Sequence, residues 1–249
     1  MKNTENQITN MKQQTIGVEI EMNSITRRKA AILVGEYFGT RAYDAAREYG
    51  YCSWACQDRK GRTWKFQRDC SIVGPEDEKC EMVTPILRYD DIEDLQEIVR
   101  ILRKAGAKSD ASRMCGVHIH IGANGHTPQT MRNLTNIMAS HESLLAEALN
   151  LDYGRITRYC RTVDERFLKE VNKKKPKTMS AFADVWYQSQ NENYGRTQHY
   201  NGSRYHINVF CMVIFTRNMT QQFLKLIDEQ IKKEIQFIKT IFYFHNQQQ

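Results

Sequence analysis

Two glutamates separated by a single residue, Glu19 and Glu21, are the first feature of the sequence that could do chemistry. Residues two apart in a β-strand share a face, and their side chains lie roughly 6.5–7 Å apart along it. Two carboxylates on one buried face repel each other and are costly to desolvate, so such a face is solvated, paired with basic residues or occupied by a cation. Two oxygen donors on a rigid strand suit Mg²⁺ or Mn²⁺. The pair alone leaves these readings open.

His118 and His120 repeat the same spacing on another segment. Gly116 and Gly122 flank them at the same alternation, and such small residues leave room for a ligand. A hydrogen-bonded pair of imidazoles is the alternative interpretation. Glu81 adds a third carboxylate just before a predicted bend, although a lone glutamate is usually a surface charge. Together the three segments predict a mixed oxygen and nitrogen metal site on the polar side of a sheet.

Arg204 lies in a polar cluster near the start of a predicted strand, together with Tyr205, His206 and Asn208. A guanidinium beside a metal site suits a phosphate group, which it can grip with two hydrogen bonds. Asp69 and Arg68, on a predicted strand, are further candidates for catalytic chemistry.

Two other motifs have weaker functional interpretations. The basic run KKKPK at 173–177 predicts a solvated loop, with a phosphate or nucleic-acid patch as the alternative. Four cysteines have poor spacing for a zinc knuckle, namely Cys52, Cys56, Cys70 and Cys80. No Walker loop and no GxSxG motif is present.

Alternating and helical patterns indicate the elements that position these residues. Alternation predicts strands at 15–22 and 115–122. We also expect a strand pair around a turn at 58–62 and strands at 80–87 and 203–215. Helical spacing predicts helices at 26–49, 90–107, 127–150 and 223–244. The order favours an α+β fold with a mainly antiparallel sheet and helices packed on one face. We expect a polar leader at 1–14 and one catalytic domain at 15–249 with a basic helical excursion at about 151–200.

Composition limits the class of protein. A chain of 249 residues with 41% hydrophobic side chains can fold without disulfides. The seven cysteines are odd in number and form no CxxC pair, which predicts a reduced, cytoplasmic protein. No apolar run reaches the roughly 20 residues of a membrane span, so we expect no membrane partner. The net charge of +7 favours anionic ligands, from nucleotides to nucleic acid.

Five motifs in series, GVEIEM, WKFQRDCSI, EMVTPIL, CGVHIHIG and HYNGSRYH, resemble the putative amidoligase family. That family belongs to the carboxylate–amine ligase superfamily, with glutamine synthetase and glutamate–cysteine ligase. The similarity runs from about Thr15 to His206. Each motif alone is modest, and the order of all five is more specific.

The resemblance implies a glutamine-synthetase-like sheet and ATP-dependent formation of an amide bond through an acyl phosphate. It implies two or more Mg²⁺ (or Mn²⁺) ions, with small-molecule or peptide carboxylates and amines as substrates. The metal ligands that it implies are Glu19, Glu21, Glu81 and His118. It places His120 at the nucleotide and Arg204 at the transferring phosphoryl group. It further assigns Asn208 and Arg217 to ATP binding, and Arg217 also to catalysis.

The sequence departs from the family at two positions. Phe215 stands where the family has a metal-binding glutamate, and Cys70 stands where it has a glycine. An altered but active enzyme, a degenerate domain that only binds nucleotide or metal, and a disturbed gene end are the competing explanations. A metal-dependent hydrolase is a further alternative, and nucleic-acid binding is the least favoured.

Overall fold

The computed structural model describes residues 12–122, 125–148, 152–154 and 162–187, together with three residues near the N-terminus. The chain divides into two compact units, one formed by 1–121 with 212–249 and the other by 122–211. We call them the sheet unit and the helical unit. The strand and helix expected at 203–215 and 223–244 lie outside the described residues, and the expectation of one catalytic domain at 15–249 stays a prediction.

The sheet unit is built on six strands in which every neighbouring pair is antiparallel. The strands are β1 (Ile16–Met22), β2 (Tyr43–Asp44), β3 (Trp54–Gln57), β4 (Thr63–Gln67), β5 (Cys80–Val83) and β6 (Val117–Ile121). Their order across the sheet is β2-β3-β4-β5-β1-β6. The predicted α+β class with an antiparallel sheet is therefore confirmed, and β1 lies between the two strands that carry Glu81 and the histidines.

Alternation along the strands gives the sheet two different faces. The apolar face carries Val18, Met22, Phe66 and Met82, all of which are buried in the core. Because cross-strand partners share a face, the pairing register defines the other face as well. We call it the polar face; its residues include Gly17, Glu19, Glu21, Lys65, Gln67, Glu81, Val83, His118 and His120.

Helices of the sheet unit cover the apolar face, as the sequence predicts. They are α1 (Arg27–Phe38) and α3 (Ile92–Lys104), whereas the short helix α2 (Ala46–Tyr49) buries none of its residues and carries Tyr49 beside Lys65 of the polar face. Val34 of α1 and Ile98 of α3 are fully buried in the same core as Trp64 and Phe66. Burial of this kind stabilises a fold by about 1.5–3 kcal/mol per large side chain.

The helix predicted at 26–49 is wrong in its length. The Thr26 hydroxyl accepts the Lys29 N–H at the start of α1, but the helix ends at Phe38 because Gly39 adopts a left-handed conformation with φ 73°. A left-handed glycine at this position satisfies the last carbonyls of a helix and redirects the chain. The following residues return to the sheet as β2 before the short helix α2 begins.

Two strands are also shorter than predicted. β5 ends at Val83, two residues before Pro85, as expected for a proline that cannot continue a ladder. The Thr84 hydroxyl instead accepts the Val18 N–H at 2.9 Å. β4 ends at Gln67, so Asp69 lies in a loop and not on a strand.

Gly35 lies inside α1, where a glycine weakens an isolated helix. A Cβ at this position would lie 2.9 Å from the Thr40 carbonyl oxygen and 3.4 Å from Cys56 Cβ. We expect Gly35→Ala to lower the free energy of unfolding by about 1–3 kcal/mol, because overpacking outweighs the gain in helix propensity. Urea denaturation measures this, with the exposed neighbour Glu36→Ala as control. A Gly35→Ala protein as stable as the wild type would contradict the close packing.

The helical unit contains α4 (Pro128–Ala148), α5 (Glu165–Lys174) and α6 (Met179–Tyr187). Its core is a cluster that includes Met131, Phe167, Val171, Phe182 and Val185. The helical excursion predicted at 151–200 is helical at α5 and α6. Within the described part of the chain, no helix combines the length and apolar composition needed to cross a membrane.

Candidate metal centre

The register of the three central strands brings the predicted acidic and imidazole groups together. Glu19 of β1 lies opposite His118 of β6, and Glu21 of β1 lies opposite Glu81 of β5. His120 lies opposite Gly17 on the same face. Three segments that are far apart in sequence therefore present their polar side chains on one side of the sheet.

Glu19 is held between the two histidines. Its Oε2 lies 3.0 Å from His118 Nδ1, and its Oε1 lies 3.3 Å from His120 Nε2. The hydrogen bond from His118, followed by that from His120, holds the pKa of the Glu19 carboxyl well below its usual range, although partial burial opposes this. The two imidazoles therefore favour the ionised form of Glu19 and orient both of its carboxylate oxygens.

Glu81 and Glu21 are buried side by side, with only 6% and 4% of their surface exposed. The Gln67 amide donates a hydrogen bond of 2.7 Å to Glu81 Oε2. Burial, and then the negative charges of Glu19, Asp69 and Glu21, raise the pKa of Glu81 to about 7. The pKa of Glu19 is thus lowered and that of Glu81 is raised, although both carboxyls lie on one face. The negative charge of Glu81 is the one that needs a positive partner.

Two overlapping groups of side chains have the spacing of cation sites. One oxygen or nitrogen atom from each of Glu19, Glu81 and His118 lies within 4.8 Å of the others. The same holds for Glu21, Asp69 and Glu81. Glu81 belongs to both groups, so a single buried carboxylate joins two potential cation positions. Donor sets dominated by carboxylate oxygens fit Mg²⁺ or Mn²⁺ better than Zn²⁺.

Asp69 reaches this cluster from the loop that follows β4. Its Oδ1 accepts the Ser71 N–H at 2.6 Å, which orients the carboxylate within the loop. The sequence suggested Asp69 as a catalytic residue on a strand, whereas the structure places it beside Glu21 and Glu81 at spacing suitable for a ligand.

Gln67 is a site residue that the sequence reasoning missed. The signal was available, because the alternation of β4 puts Gln67 on the polar face, and the register pairs it with Glu81. The zinc knuckle receives no support from the structure. Cys56 and Cys80 are fully buried on the apolar side, whereas Cys52 and Cys70 are exposed.

The resemblance also implies residues that bind the phosphate groups of ATP. Arg204, Asn208 and Arg217 lie outside the described residues, as does Phe215. Their assigned roles stay predictions from the resemblance.

A family model described as putative amidoligase enzyme matches residues 12–210. The match contains all six strands of the sheet, and it ends before Phe215 and Arg217. No curated protein and no solved structure matches this chain significantly. Since the family model spans well over half of the sequence, the chain belongs to the putative amidoligase enzyme family.

Proposed function

We propose that this protein is an ATP- and Mg²⁺-dependent carboxylate–amine ligase that forms an amide bond through an acyl phosphate, on a glutamine-synthetase-like sheet. Small-molecule or peptide carboxylates and amines are the proposed substrates. The observation that carries the proposal is the buried Glu81 carboxylate, shared between two groups of potential cation ligands. Membership of an amidoligase family supports the reaction type.

The charges on the polar face support a cation at this place. Four carboxylates converge here, those of Glu19, Glu21, Asp69 and Glu81. Glu81 is costly to ionise because it is buried. Bound Mg²⁺ would offset these charges and the charge of the ATP phosphates, which otherwise opposes attack by a carboxylate. Glu19, Glu81 and His118 would hold one ion, and Glu21, Asp69 and Glu81 would hold a second.

The proposed reaction has two balanced steps. A substrate carboxylate oxygen bonds to the γ-phosphorus of ATP while the bond from that phosphorus to ADP breaks. An amine nitrogen then bonds to the acyl carbon, the bond from that carbon to the phosphate oxygen breaks, and the nitrogen loses a proton. The histidines keep Glu19 ionised and oriented, and Gln67 orients Glu81. Arg204 and Arg217 are proposed to hold the phosphate groups.

Hydroxylamine trapping tests this proposal. Hydroxylamine converts an acyl phosphate into a stable hydroxamate, so wild-type protein with ATP, Mg²⁺ and a pool of amino acids and peptides should release ADP and accumulate hydroxamate. Glu19→Gln removes a ligand charge and should lower the rate about 100-fold or more, as loss of one preorganised electrostatic group commonly does. Glu36→Gln changes the same charge on the exposed surface of α1 and should leave the rate unchanged.

Three results, from this assay together with isothermal titration and a hydrolysis assay, contradict the proposal. ATP binding in isothermal titration without ADP release supports a degenerate domain. Hydrolysis that requires Zn²⁺ and is unchanged by ATP supports a metal-dependent hydrolase. Failure to bind ATP with Mg²⁺, together with no effect of Glu19→Gln, removes the nucleotide-dependent chemistry altogether.

A further inference from the structure

Lys65 is a basic side chain of the polar face that lies in register with the candidate metal centre. Lys65 of β4 lies opposite Val83 of β5, and Val83 lies opposite Glu19 of β1. These three residues form one row across the sheet and project from the same side of it. Lys65 therefore shares the face of the proposed reaction, although the resemblance to the family assigned it no role.

The surroundings of Lys65 are aromatic and small. Its Nζ lies 5.0 Å from the centroid of the Tyr49 ring. On β3 its cross-strand neighbour is Ala55, which is fully buried, and Ala55 in turn lies opposite Tyr43. Lys65 itself is only partly exposed. A ring face attracts an ammonium group and limits its rotamers, so Tyr49 positions the charge.

No carboxylate neutralises this ammonium among the residues that the structure describes: none of their ion pairs involves Lys65. Neighbouring strands lie about 4.7–4.9 Å apart, so Lys65 and Glu19, two strands apart, are separated by about 9–10 Å along the row. Val83, between them, offers an apolar floor. This row has a group of potential cation ligands at one end and a fixed ammonium at the other.

We infer that Lys65 and Tyr49 form an anion-binding subsite that receives a charged group of the ligand lying across the polar face. The ligand is a carboxylate or phosphate compound that places one anionic group at the cation positions and a second at Lys65. This inference rests on the proposed function, which supplies the cations that bind the first anionic group. It assigns Lys65 a part in selecting the substrate, which is either a dicarboxylic compound or the polyphosphate of the nucleotide.

Isothermal titration in the presence of Mg²⁺ tests the subsite with two probes, sodium tripolyphosphate and L-glutamate. Lys65→Met keeps the length of the stem but removes the charge. It should weaken at least one probe by roughly tenfold or more, because a charge-assisted contact is lost. Lys65→Arg should retain most of the affinity. Lys104→Met is the matched control, since Lys104 is exposed at the end of α3, in the layer against the opposite face.

The pattern of losses identifies the source of the anion. A loss confined to tripolyphosphate assigns the subsite to the nucleotide, and a loss confined to L-glutamate assigns it to the carboxylate substrate. The inference is overturned if the wild type binds neither probe, or if Lys65→Met behaves as Lys104→Met does. Hydroxamate formation that fails in Glu19→Gln but survives in Lys65→Met would overturn the subsite alone. Probe binding that depends on Lys65 without any ATP-dependent reaction would instead contradict the proposed function.

Discussion

Replacement of Glu81 by glutamine is expected to weaken Mg²⁺ binding by at least about tenfold and, in the metal-free protein, to increase stability. Residues that only support a metal ligand commonly contribute 10–100-fold to affinity, so loss of a ligand shared by two positions costs no less. The combination of weaker Mg²⁺ binding with higher stability in the metal-free protein distinguishes a metal ligand from a structural residue. A carboxylate kept for packing would lose stability on the same substitution.

The stability gain has a definite pH window. Burial first, and the neighbouring carboxylates second, raise the pKa of Glu81 from 4.5 to about 7. A raised carboxyl pKa adds no penalty below pH 4.5, where the group is protonated in both states. The penalty grows between about pH 5 and 7 and is complete above that range. Glu81→Gln should therefore be more stable than the metal-free wild type by about 1–3 kcal/mol at pH 8 and nearly equal at pH 4.5.

Thermal and urea unfolding in chelator, repeated with added Mg²⁺, measures both effects. Mg²⁺ should stabilise the wild type and the control Glu36→Gln, since a ligand that binds only the folded state shifts unfolding by mass action. It should have little effect on Glu81→Gln. If Glu81→Gln were less stable than the wild type in chelator and responded normally to Mg²⁺, Glu81 would be a structural residue.

Asp91→Asn is expected to lower the free energy of unfolding by about 2–4 kcal/mol, because it breaks a buried ion pair away from the polar face. Asp91 is 1% exposed. It accepts two hydrogen bonds from the Arg62 guanidinium at 2.8 and 2.9 Å, and one from Lys60 Nζ at 2.6 Å. The Arg88 N–H donates to it as well, at 2.8 Å. Removal of its charge leaves Arg62 without its bidentate partner.

Arg62 connects two distant elements through this contact. It also donates to Asp58 at 2.7 Å, and Asp58 accepts the N–H groups of Lys60 and Arg62 inside the β3–β4 turn. Asp91 lies at the start of α3. The guanidinium therefore joins the hairpin turn to the helix that covers the apolar face, and its loss loosens both.

The pH dependence of this pair has the opposite sign to that of Glu81. Burial alone would raise the pKa of the Asp91 carboxyl, but the hydrogen bonds from Arg62, Lys60 and the Arg88 N–H outweigh it and hold the pKa well below its usual range. The stabilisation is complete above about pH 4, the value for an unfolded aspartate, and is lost as the pH falls below it. The deficit of Asp91→Asn should be constant near neutral pH and shrink in acid.

Urea unfolding at pH 7 and pH 3 measures this deficit, with Asp90→Asn as the matched control on the exposed neighbour. Equal stability of the two variants at pH 7 would show that the Asp91 contacts do not stabilise the fold. A deficit that grows in acid would contradict the sign of the pKa shift.

Much of the fold follows from local pattern alone. The alternation of Val18, Glu19, Ile20 and Glu21 separates apolar from polar side chains at the period of a strand, whatever the strand pairs with. The histidine strand and the helix at Ile92–Lys104 were predictable for the same reason, and so was the polar side as the place for chemistry. The family motifs added the family and, through it, the proposed reaction class, because their order along the chain is itself a property of the sequence.

Pairing, burial and charge environment were decided only by the tertiary structure. Glu21 and Glu81 are sixty residues apart, and only the register of β1 with β5 makes them opposite partners. The carboxyl pKa values diverge because Glu19 faces two imidazoles while Glu81 is desolvated among other acids. The positions of Lys65 and Gln67 beside the site, and the Arg62–Asp91 contact, also depend on the tertiary structure. Register and desolvation depend on which distant segments meet, and a local pattern contains no information about that meeting.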